Sequence, residues 1–365
     1  MTSSSASAAD QDFSGTTEVQ ERYRVNIDTL AAYLTKHVEG FKGPLKLEQF
    51  KGGQSNPTYR LTAASGRYVM RSKPGPAAKL LPSAHAIDRE YRVMAALAKA
   101  GFPVPRMFCL CEDESVIGRA FFIMDCVEGR IFWEQGLPGK SNAERAAIYD
   151  EMNRVIAMLH GVDHEAVGLS DFGRPGNYFA RQISRWSKQY RQSETEKQPA
   201  MDNLIDWLPQ NIPEGDETSV VHGDYRMDNM VFHPTEPRVL AVLDWELSTL
   251  GHPLADFSYH CLSWHIPGGV FRGISELDLK ALGIPEESAY VAAYCKRTGR
   301  ERIGNWDFYL AYNLFRLSAI LQGIRKRALD GTAANSKAED AGKRARPLGE
   351  MGWTFAQKVI AQSRR

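Results

Sequence analysis

The sequence predicts an α+β protein of two lobes: a small N-terminal lobe built on an antiparallel sheet and a larger, mainly helical C-terminal lobe. Before residue 126, short apolar or alternating runs are separated by turns that contain Gly, Pro and Ser, which is typical of strands joined in hairpins. From Ser141 onwards, apolar residues recur at helical spacing instead. A length of 365 residues suits two such lobes. We place the N-terminal lobe at 21–126 and the helical lobe at 127–365.

The elements of the N-terminal lobe follow from periodicity, taken along the chain. Apolar residues at helical spacing from Ile27 to Val38 predict a first helix, and a second such stripe ends before Gly101. Alternating or β-branched runs between and after these helices predict strands. These strands are expected at 45–50, 58–62, 67–73 and 106–111, with one more from residue 120.

Composition and charge are those of an ordinary globular protein. Apolar residues make up 43% and charged residues 24% of the chain. The formal net charge of +1 gives no field that favours nucleic acid or a membrane as partner. Five cysteines without zinc-binding spacing indicate free thiols, so we expect a reducing, cytoplasmic location. No run approaches the roughly 18 apolar residues of a membrane span.

The N-terminal segment 1–20 begins with small polar residues. It lacks the basic start and the apolar core of a secretory signal. Such a composition cannot bury enough apolar surface to order itself, so we expect a disordered tail here.

Three polar residues at fixed spacing are the most informative feature of the chain. Asn229 stands five positions after Asp224, and Asp244 stands fifteen after Asn229. Two short apolar runs, 230–232 and 239–243, flank a turn that contains Pro and predict a hairpin. A hairpin returns the chain, so we expect Asp244 at its exit to lie beside Asn229 at its entry. A carboxylate and an amide oxygen suit Mg²⁺, and Asp224 can then take a proton from a hydroxyl.

This arrangement resembles the catalytic core of the aminoglycoside phosphotransferase and choline kinase-like family, which has a protein kinase-like fold. The chain reads His-Gly-Asp-x-x-x-x-Asn at 222–229 and Asp-Trp-Glu at 244–246. Protein kinases carry His-Arg-Asp-x-x-x-x-Asn and Asp-Phe-Gly in the matching places. The resemblance implies that Asp224 is the catalytic base and that Asn229 and Asp244 hold Mg²⁺ against the phosphates of ATP. Each residue alone is better explained as a turn cap, whereas all three together favour the kinase-like interpretation.

A glycine-containing turn at 52–57, between two predicted strands, is a candidate phosphate-binding loop. Glycines let the backbone approach phosphates closely, and Ser55 and Asn56 add hydrogen-bond donors. The stretch resembles the short, Ser- and Asn-bearing loop of the same family. We assign Gly53, Ser55 and Asn56 to nucleotide binding, and a plain hairpin turn explains the stretch equally well.

Two charged residues complete the predicted phosphate site. In the kinase pattern a Lys near the end of the third strand binds the α- and β-phosphates, and Arg71 best matches this position. Lys73 shares its strand face and is the reserve candidate, with a solvent-facing basic strand as the alternative. Glu90 borders the apolar stripe of the second helix and matches the kinase Glu that pairs with the third-strand cation. A solvated Glu between Arg89 and Arg92 is the alternative for this position.

Three further segments are interpreted by their place in the kinase-like pattern. The connector after the last strand of the sheet assigns Met124 and Cys126 to adenine, through their backbone groups. The segment 251–257 resembles the family's Gly-Asp-Pro-x-x-Asp-Leu, so we expect Asp256 to anchor the backbone of the catalytic loop. The sequence Asp-Phe-Gly at 171–173 precedes that loop, and we interpret it as an ordinary loop.

Together these features predict an ATP-dependent phosphotransferase that acts on a hydroxyl of a small molecule. Segments 79–92 and 239–249 resemble the kinase-like domains fused to acyl-CoA dehydrogenases, which implies a hydroxyacyl-CoA-type acceptor. From residue 256 onwards there are 17 Lys and Arg against 11 Asp and Glu, which disfavours a polycationic acceptor. Two alternatives stay open: an aminoglycoside antibiotic kinase of the same fold, and a nucleotide-binding pseudokinase that acts as a regulatory module. The Arg in place of Lys at 71 keeps the pseudokinase open.

Overall fold

A six-stranded antiparallel sheet organises the N-terminal part of the chain in the computed structural model, which describes residues 15–51, 56–75, 86–331 and 338–363. The strand order is β1-β2-β3-β4-β6-β5, so β4 lies inside the sheet between β3 and β6. The strands are β1 Thr16–Thr17, β2 Lys46–Phe50, β3 Thr58–Ala63, β4 Gly66–Ser72, β5 Met107–Cys111 and β6 Phe121–Asp125.

One face of this sheet is covered by helix α1, Ile27–His37. Alternation in β3 turns Tyr59 and Leu61 inward, where both are fully buried in one apolar cluster with Leu30 and Leu34 of α1. The helix begins at an Asn26 cap, whose side chain accepts hydrogen bonds from two backbone N–H groups of the first turn. The sheet and its covering helix therefore form a rigid support for the ends of β4.

Helix α2, Ile87–Lys99, belongs to the same part of the molecule. Of the apolar stripe predicted from the sequence, Ile87, Met94 and Leu97 are buried and Tyr91 is half-buried. Glu90 is buried with them, which is unusual for a carboxylate unless it is paired.

The predicted hairpin after Asn229 is confirmed. Its strands are β8 Met230–Phe232 and β9 Val239–Val242, paired antiparallel with Met230 opposite Val242. Beyond the strands, the Leu243 N–H donates to the Asn229 carbonyl at 2.8 Å. The chain therefore returns beside its own start, as the spacing of polar residues predicts.

The rest of the chain is mainly helical. The long helix α10 is its centre, packed against α4, α6 and α12, with a short antiparallel pair formed by β7 Ser219–Val221 and β10 Thr249–Gly251. The helices are α3 Asn142–His160, α4 Tyr178–Ser193, α5 Pro199–Trp207, α6 Pro253–Cys261, α7 Gly268–Phe271, α8 Leu279–Leu282, α9 Glu287–Thr298, α10 Trp306–Leu329, α11 Ala338–Lys343 and α12 Ala345–Ser363.

Contacts group the chain into two units, neither of which is continuous in sequence. The first unit contains residues up to 158, 162–172 and 226–248, and the second contains 159–161, 173–225 and 249 onwards. The hairpin thus belongs to the unit of the six-stranded sheet. The lobe limits 21–126 and 127–365 stay a prediction.

The N-terminal segment enters the sheet earlier than expected. Residues 1–14 lie outside the described part of the chain, but Thr16 and Thr17 pair with Phe50 and Gln49 as strand β1. The predicted tail 1–20 is therefore corrected at its end, because backbone pairing with β2 orders residues 16 and 17. In the described ranges, no helix has the length and apolar character needed to cross a membrane.

Candidate active site

Arg71, near the end of β4, lies at the centre of a charge cluster in the first unit. Its Nε is 2.9 Å from Glu90 Oε2, an ion pair without the alignment of a hydrogen bond. Its Nη2 donates to Asp244 Oδ1 at 2.9 Å and to Glu246 Oε2 at 3.3 Å. One guanidinium therefore faces three carboxylates, which its planar fork can reach in different directions. The predicted pairing of Arg71 with Glu90 is confirmed.

Glu90 is the most deeply buried member of this cluster. Only 2% of its side chain is exposed, against 11% for Arg71. Asn56 Nδ2 donates a hydrogen bond of 3.0 Å to Glu90 Oε1. Burial raises the pKa of Glu90 to about 7; Arg71 opposes this, while the carboxylates of Asp244 and Glu246 add to it. The ion pair with Arg71 therefore stabilises the ionised form of Glu90, but burial still makes this form costly.

Asp244 has an unusual backbone conformation for a residue other than glycine. Its φ of 64° and ψ of 59° are left-handed, and the next residues form a one-turn 3₁₀ helix, Trp245–Leu247. Trp245 is buried, donates its Nε1–H to the Val242 carbonyl at 2.9 Å and packs edge-on against Phe102. This packing holds the turn that aims the Asp244 carboxylate at Arg71. A left-handed backbone conformation costs a residue other than glycine about 1–2 kcal/mol, and residues in this conformation are concentrated at functional sites.

Asn229 stands at the other strand of the same hairpin. It is 9% exposed and precedes β8 directly. The bond from Leu243 N–H to its carbonyl places it beside the chain that leads into Asp244. The structure therefore brings Asn229 and Asp244 to one end of the hairpin, as the sequence predicts.

Asp224 belongs to the second unit, in the loop after β7. Helix α6 holds this loop by its backbone: Asp256 Oδ2 accepts the His222 N–H and Oδ1 accepts the Gly223 N–H, both at 2.8 Å. Gly223 has a φ of +83°, a left-handed conformation that favours glycine. The Asp224 N–H in turn donates to His222 Nδ1 at 3.2 Å. The predicted anchoring role of Asp256 is confirmed.

Two residues beside Asp224 were missed from the sequence. Tyr259 donates its hydroxyl to Asp224 Oδ1 at 2.7 Å, and Arg316 donates from Nη2 to the Gly223 carbonyl at 2.9 Å. The Arg316 guanidinium also lies over the Tyr259 ring, 5.2 Å from its centroid. One signal was available: Tyr259 is three residues after Asp256 and so shares its helix face. Arg316 has no comparable signal, since it comes from α10.

The remaining predicted site residues differ in what the structure shows. Met124 lies in β6 opposite Val69, with Cys126 just beyond the strand, where burial raises the pKa of its thiol. Their adenine role depends on backbone groups and stays a prediction. Gly53 and Ser55 lie outside the described residues. In the described part of the chain Lys73 forms no ion pair, which favours Arg71 over this reserve candidate.

The Asp-Phe-Gly segment at 171–173 is a loop, as interpreted from the sequence. Asp171 is exposed and forms an ion pair with Arg92, while Phe172 is buried beneath Arg89, whose guanidinium is 4.2 Å from the ring centroid. The segment therefore anchors α2 through its two arginines. Asp171 takes part in this exposed ion pair and is not one of the carboxylates that contact Arg71.

The fold and the Arg71 cluster define a kinase-like phosphotransferase, and comparison with known proteins identifies its family. The profile of the phosphotransferase enzyme family matches residues 46–307. The chain belongs to this family, whose class here is a small-molecule phosphotransferase with a hydroxyl group as acceptor. The predicted family and fold class are thereby confirmed.

Its relatives in sequence are longer proteins. The chain is 47% identical over 332 residues to acyl-CoA dehydrogenase family member 10 of Mus musculus, a match that covers 89% of this chain and 31% of that protein. It is 40% identical over 353 residues to acyl-CoA dehydrogenase family member 11 of Homo sapiens, covering 94% and 45%. The chain therefore spans less than half the length of these curated relatives.

Solved structures confirm the fold. A Ralstonia eutropha JMP134 protein, assigned by inference to the aminoglycoside phosphotransferases, is 63% identical with a TM-score of 0.85, covering 92% of this chain and 99% of that one. Choline kinase from Cryptosporidium parvum is 12% identical with a TM-score of 0.60, covering 93% and 97%. The second likeness shows the fold alone.

Proposed function

We propose that this protein transfers the γ-phosphoryl group of ATP to a hydroxyl of a small molecule, with Mg²⁺ as the metal. The observation that carries the proposal is the cluster in which Arg71, braced by buried Glu90, reaches the Asp244 carboxylate. On the side of the phosphoryl donor, such a reaction requires a cation that binds the phosphates, a carboxylate that positions this cation and a carboxylate that can bind the metal.

The donor side is assigned to the first unit. Arg71 binds the α- and β-phosphates, and Asn229 and Asp244 hold Mg²⁺. Amide and carboxylate oxygens suit this ion, which takes few protein ligands and completes its shell with phosphates and water. When bound, Mg²⁺ neutralises charge on the phosphates.

For nucleotide to bind in this way, Arg71 and Asp244 must each leave the other and take a new partner. The Arg71 Nη2 that now donates to Asp244 and Glu246 turns towards phosphate oxygens, and Asp244 turns towards the metal. Glu90 keeps the Nε side of the guanidinium in place meanwhile, because it contacts a different nitrogen. We propose that Gly53, Ser55 and Asn56 with Met124 and Cys126 complete the nucleotide site.

Asp224 is proposed as the base that orients the acceptor hydroxyl and takes its proton. Its loop is preorganised by Asp256, which fixes two successive backbone N–H groups. Preorganised charge of this kind is the main source of rate in phosphoryl transfer. The proposed base thus lies on a loop whose backbone Asp256 already holds in place.

For the acceptor we propose a hydroxyacyl-CoA-type molecule. The support is the 40–47% identity to acyl-CoA dehydrogenase family members and the excess of basic residues after residue 256. A second candidate is an aminoglycoside, favoured by the assignment of the Ralstonia eutropha protein. The regulatory pseudokinase is disfavoured, because Asp224, Asn229 and Asp244 are all present. The cytoplasmic location stays a prediction.

A screen of ADP release from Mg·ATP with hydroxyacyl-CoAs, amino alcohols, sugars and aminoglycosides tests the function. Turnover with a hydroxyacyl-CoA alone supports the proposed acceptor, and turnover with aminoglycosides alone supports the second candidate. Asp224→Asn should lower turnover about 1,000-fold, the loss typical of a positioned general base, while ATP affinity stays within twofold. Wild-type turnover in that variant would overturn the assignment of the base.

A further inference from the structure

Tyr259 and Asp256 lie on the same face of helix α6, three residues apart. Asp256 holds the backbone N–H groups of His222 and Gly223, and Tyr259 holds the side chain of the next residue, Asp224. One helix face thus contacts three consecutive residues of the loop. The last of these contacts is to a carboxylate rather than to backbone.

The contact between Tyr259 and Asp224 is short and charge-assisted. The phenol hydroxyl donates to Oδ1 at 2.7 Å, near the usual length of a hydrogen bond from O–H to a carboxylate. Because Oδ1 is fixed by this bond, the carboxylate cannot rotate freely about its last torsion. Oδ2 is therefore presented in one direction, which a base needs when it accepts a proton from an oriented hydroxyl.

Arg316 supports this pair from α10. Its guanidinium is 5.2 Å from the Tyr259 ring centroid, and its Nη2 donates to the Gly223 carbonyl at 2.9 Å. Among the residues that the structure describes, Arg316 has no carboxylate within ion-pair distance. Burial lowers the pKa of the Arg316 guanidinium, but the neighbouring Tyr312, Tyr178 and Tyr259 and the charge of Asp224 raise it overall, so this cation is held by the tyrosines and by Asp224 at longer range. A cation over a phenol ring makes the hydroxyl a better donor, and the carbonyl bond fixes the loop on the other side.

We propose that Tyr259 is a positioning residue for the Asp224 carboxylate and that Arg316 acts through Tyr259 to hold it in place. The inference adds two residues to the proposed function and rests on Asp224 as the base. Tyr259 and Arg316 do not transfer the proton themselves. They fix the direction in which Asp224 receives it.

Tyr259→Phe removes a single oxygen and is the first test. We expect kcat for ADP release with the best acceptor of the panel to fall about tenfold, the loss typical of one hydrogen bond to a charged group. The KM for ATP should stay within twofold, because the donor side is unchanged. Tyr290→Phe is the matched control: it removes a buried hydroxyl that bonds His260 at 2.8 Å in the same unit, and kcat should not change.

A double-mutant cycle separates positioning from simple support of the fold. In an Asp224→Asn background, where the residual rate no longer uses the carboxylate, Tyr259→Phe should cost less than twofold. Arg316→Gln should lower kcat in the wild type and should lower it less once Tyr259→Phe is present, since only the bond to the Gly223 carbonyl is then left to lose. An equal loss from Tyr259→Phe in both backgrounds, or strictly additive effects of Tyr259 and Arg316, would overturn the proposal.

Failure of this inference is distinguishable from failure of the proposed function. If Asp224→Asn retains wild-type turnover, the base is wrong. If Asp224→Asn loses about 1,000-fold but Tyr259→Phe has wild-type kcat, only the positioning role is wrong. If no acceptor in the panel is phosphorylated, the same double-mutant cycle is measured on the hydrolysis of ATP, in which water is the acceptor. Thermal melting of Tyr259→Phe within a few degrees of the wild type shows that the loss of rate is not a loss of fold.

Discussion

Replacing Arg71 with methionine tests the charge cluster of the first unit through stability. The variant leaves Glu90 buried, with 2% of its side chain exposed, and with the hydrogen bond from Asn56 still in place. Removing one partner of a buried ion pair costs about 3–5 kcal/mol, because the other charge is left in a poor environment. We expect the free energy of unfolding to fall by about this amount at pH 8, as measured by urea denaturation.

The loss should depend on pH in a defined direction. Burial already raises the pKa of Glu90 to about 7 in the presence of Arg71, and loss of the cation raises this pKa further. In this pH range the folded variant binds a proton at Glu90, whereas the unfolded chain binds it only at lower pH, near the ordinary pKa of a Glu. The free energy of unfolding therefore rises as the pH falls. Between pH 8 and pH 6 the variant should gain up to about 2.7 kcal/mol of unfolding free energy. This is about 1.4 kcal/mol more than the wild type gains, because the wild-type Glu90, with a pKa of about 7, already binds a proton over the same range.

Two outcomes would refute this reasoning. One is a loss below about 1 kcal/mol at pH 8, which is the size expected of an exposed pair. The other is a double variant, Arg71→Met with Glu90→Gln, that is no more stable than Arg71→Met alone. We expect the double variant to regain most of the loss, because it removes the buried charge as well as its partner.

Three further predictions concern the loop, the metal and a buried histidine. Gly223→Ala should cost about 1–2 kcal/mol of stability and lower kcat, because its φ of +83° is strained for alanine. Gly299→Ala, with a φ of +70° at the end of α9, is the control that should share the strain but keep kcat. Asp244→Asn should weaken the Mg²⁺ dependence of turnover, so a Mg²⁺ titration that matches the wild type would contradict the metal assignment. Burial lowers the pKa of His260 to about 4, so its contribution to stability is present above pH 6.5 and is lost as pH falls through 4. Between pH 7 and pH 4 the wild type should therefore lose about 3 kcal/mol more unfolding free energy than His260→Gln, and equal slopes would contradict this.

The hairpin and its polar ends were predictable because their signals are local. Alternation, a turn containing Pro and the spacing of Asn229 and Asp244 all lie within sixteen residues. The structure pairs Met230 with Val242 and returns the chain as expected. The buried Glu90 was also visible, as a charge at the border of an apolar helical stripe.

Other contacts had no local signature. Glu246 approaches Arg71 from 175 residues away, and Asn56 bonds Glu90 across 34 residues. Arg316 reaches Gly223 across 93 residues. Periodicity predicts that a polar residue on a helix faces solvent unless the partner that approaches it is known. It therefore could not identify these residues.

The sequence by itself determined the class of this protein: the sheet, the helical part, the loop at 222–229 and the hairpin that follows it. Only the tertiary structure decided how charge is balanced around these elements. It paired Arg71 with Glu90 and Asp244, placed Glu246 in the same cluster and set Tyr259 against Asp224. The physical reason is range: backbone periodicity and turn chemistry act between neighbours in sequence. Ion pairs and hydrogen bonds between buried side chains depend on which elements the fold packs together.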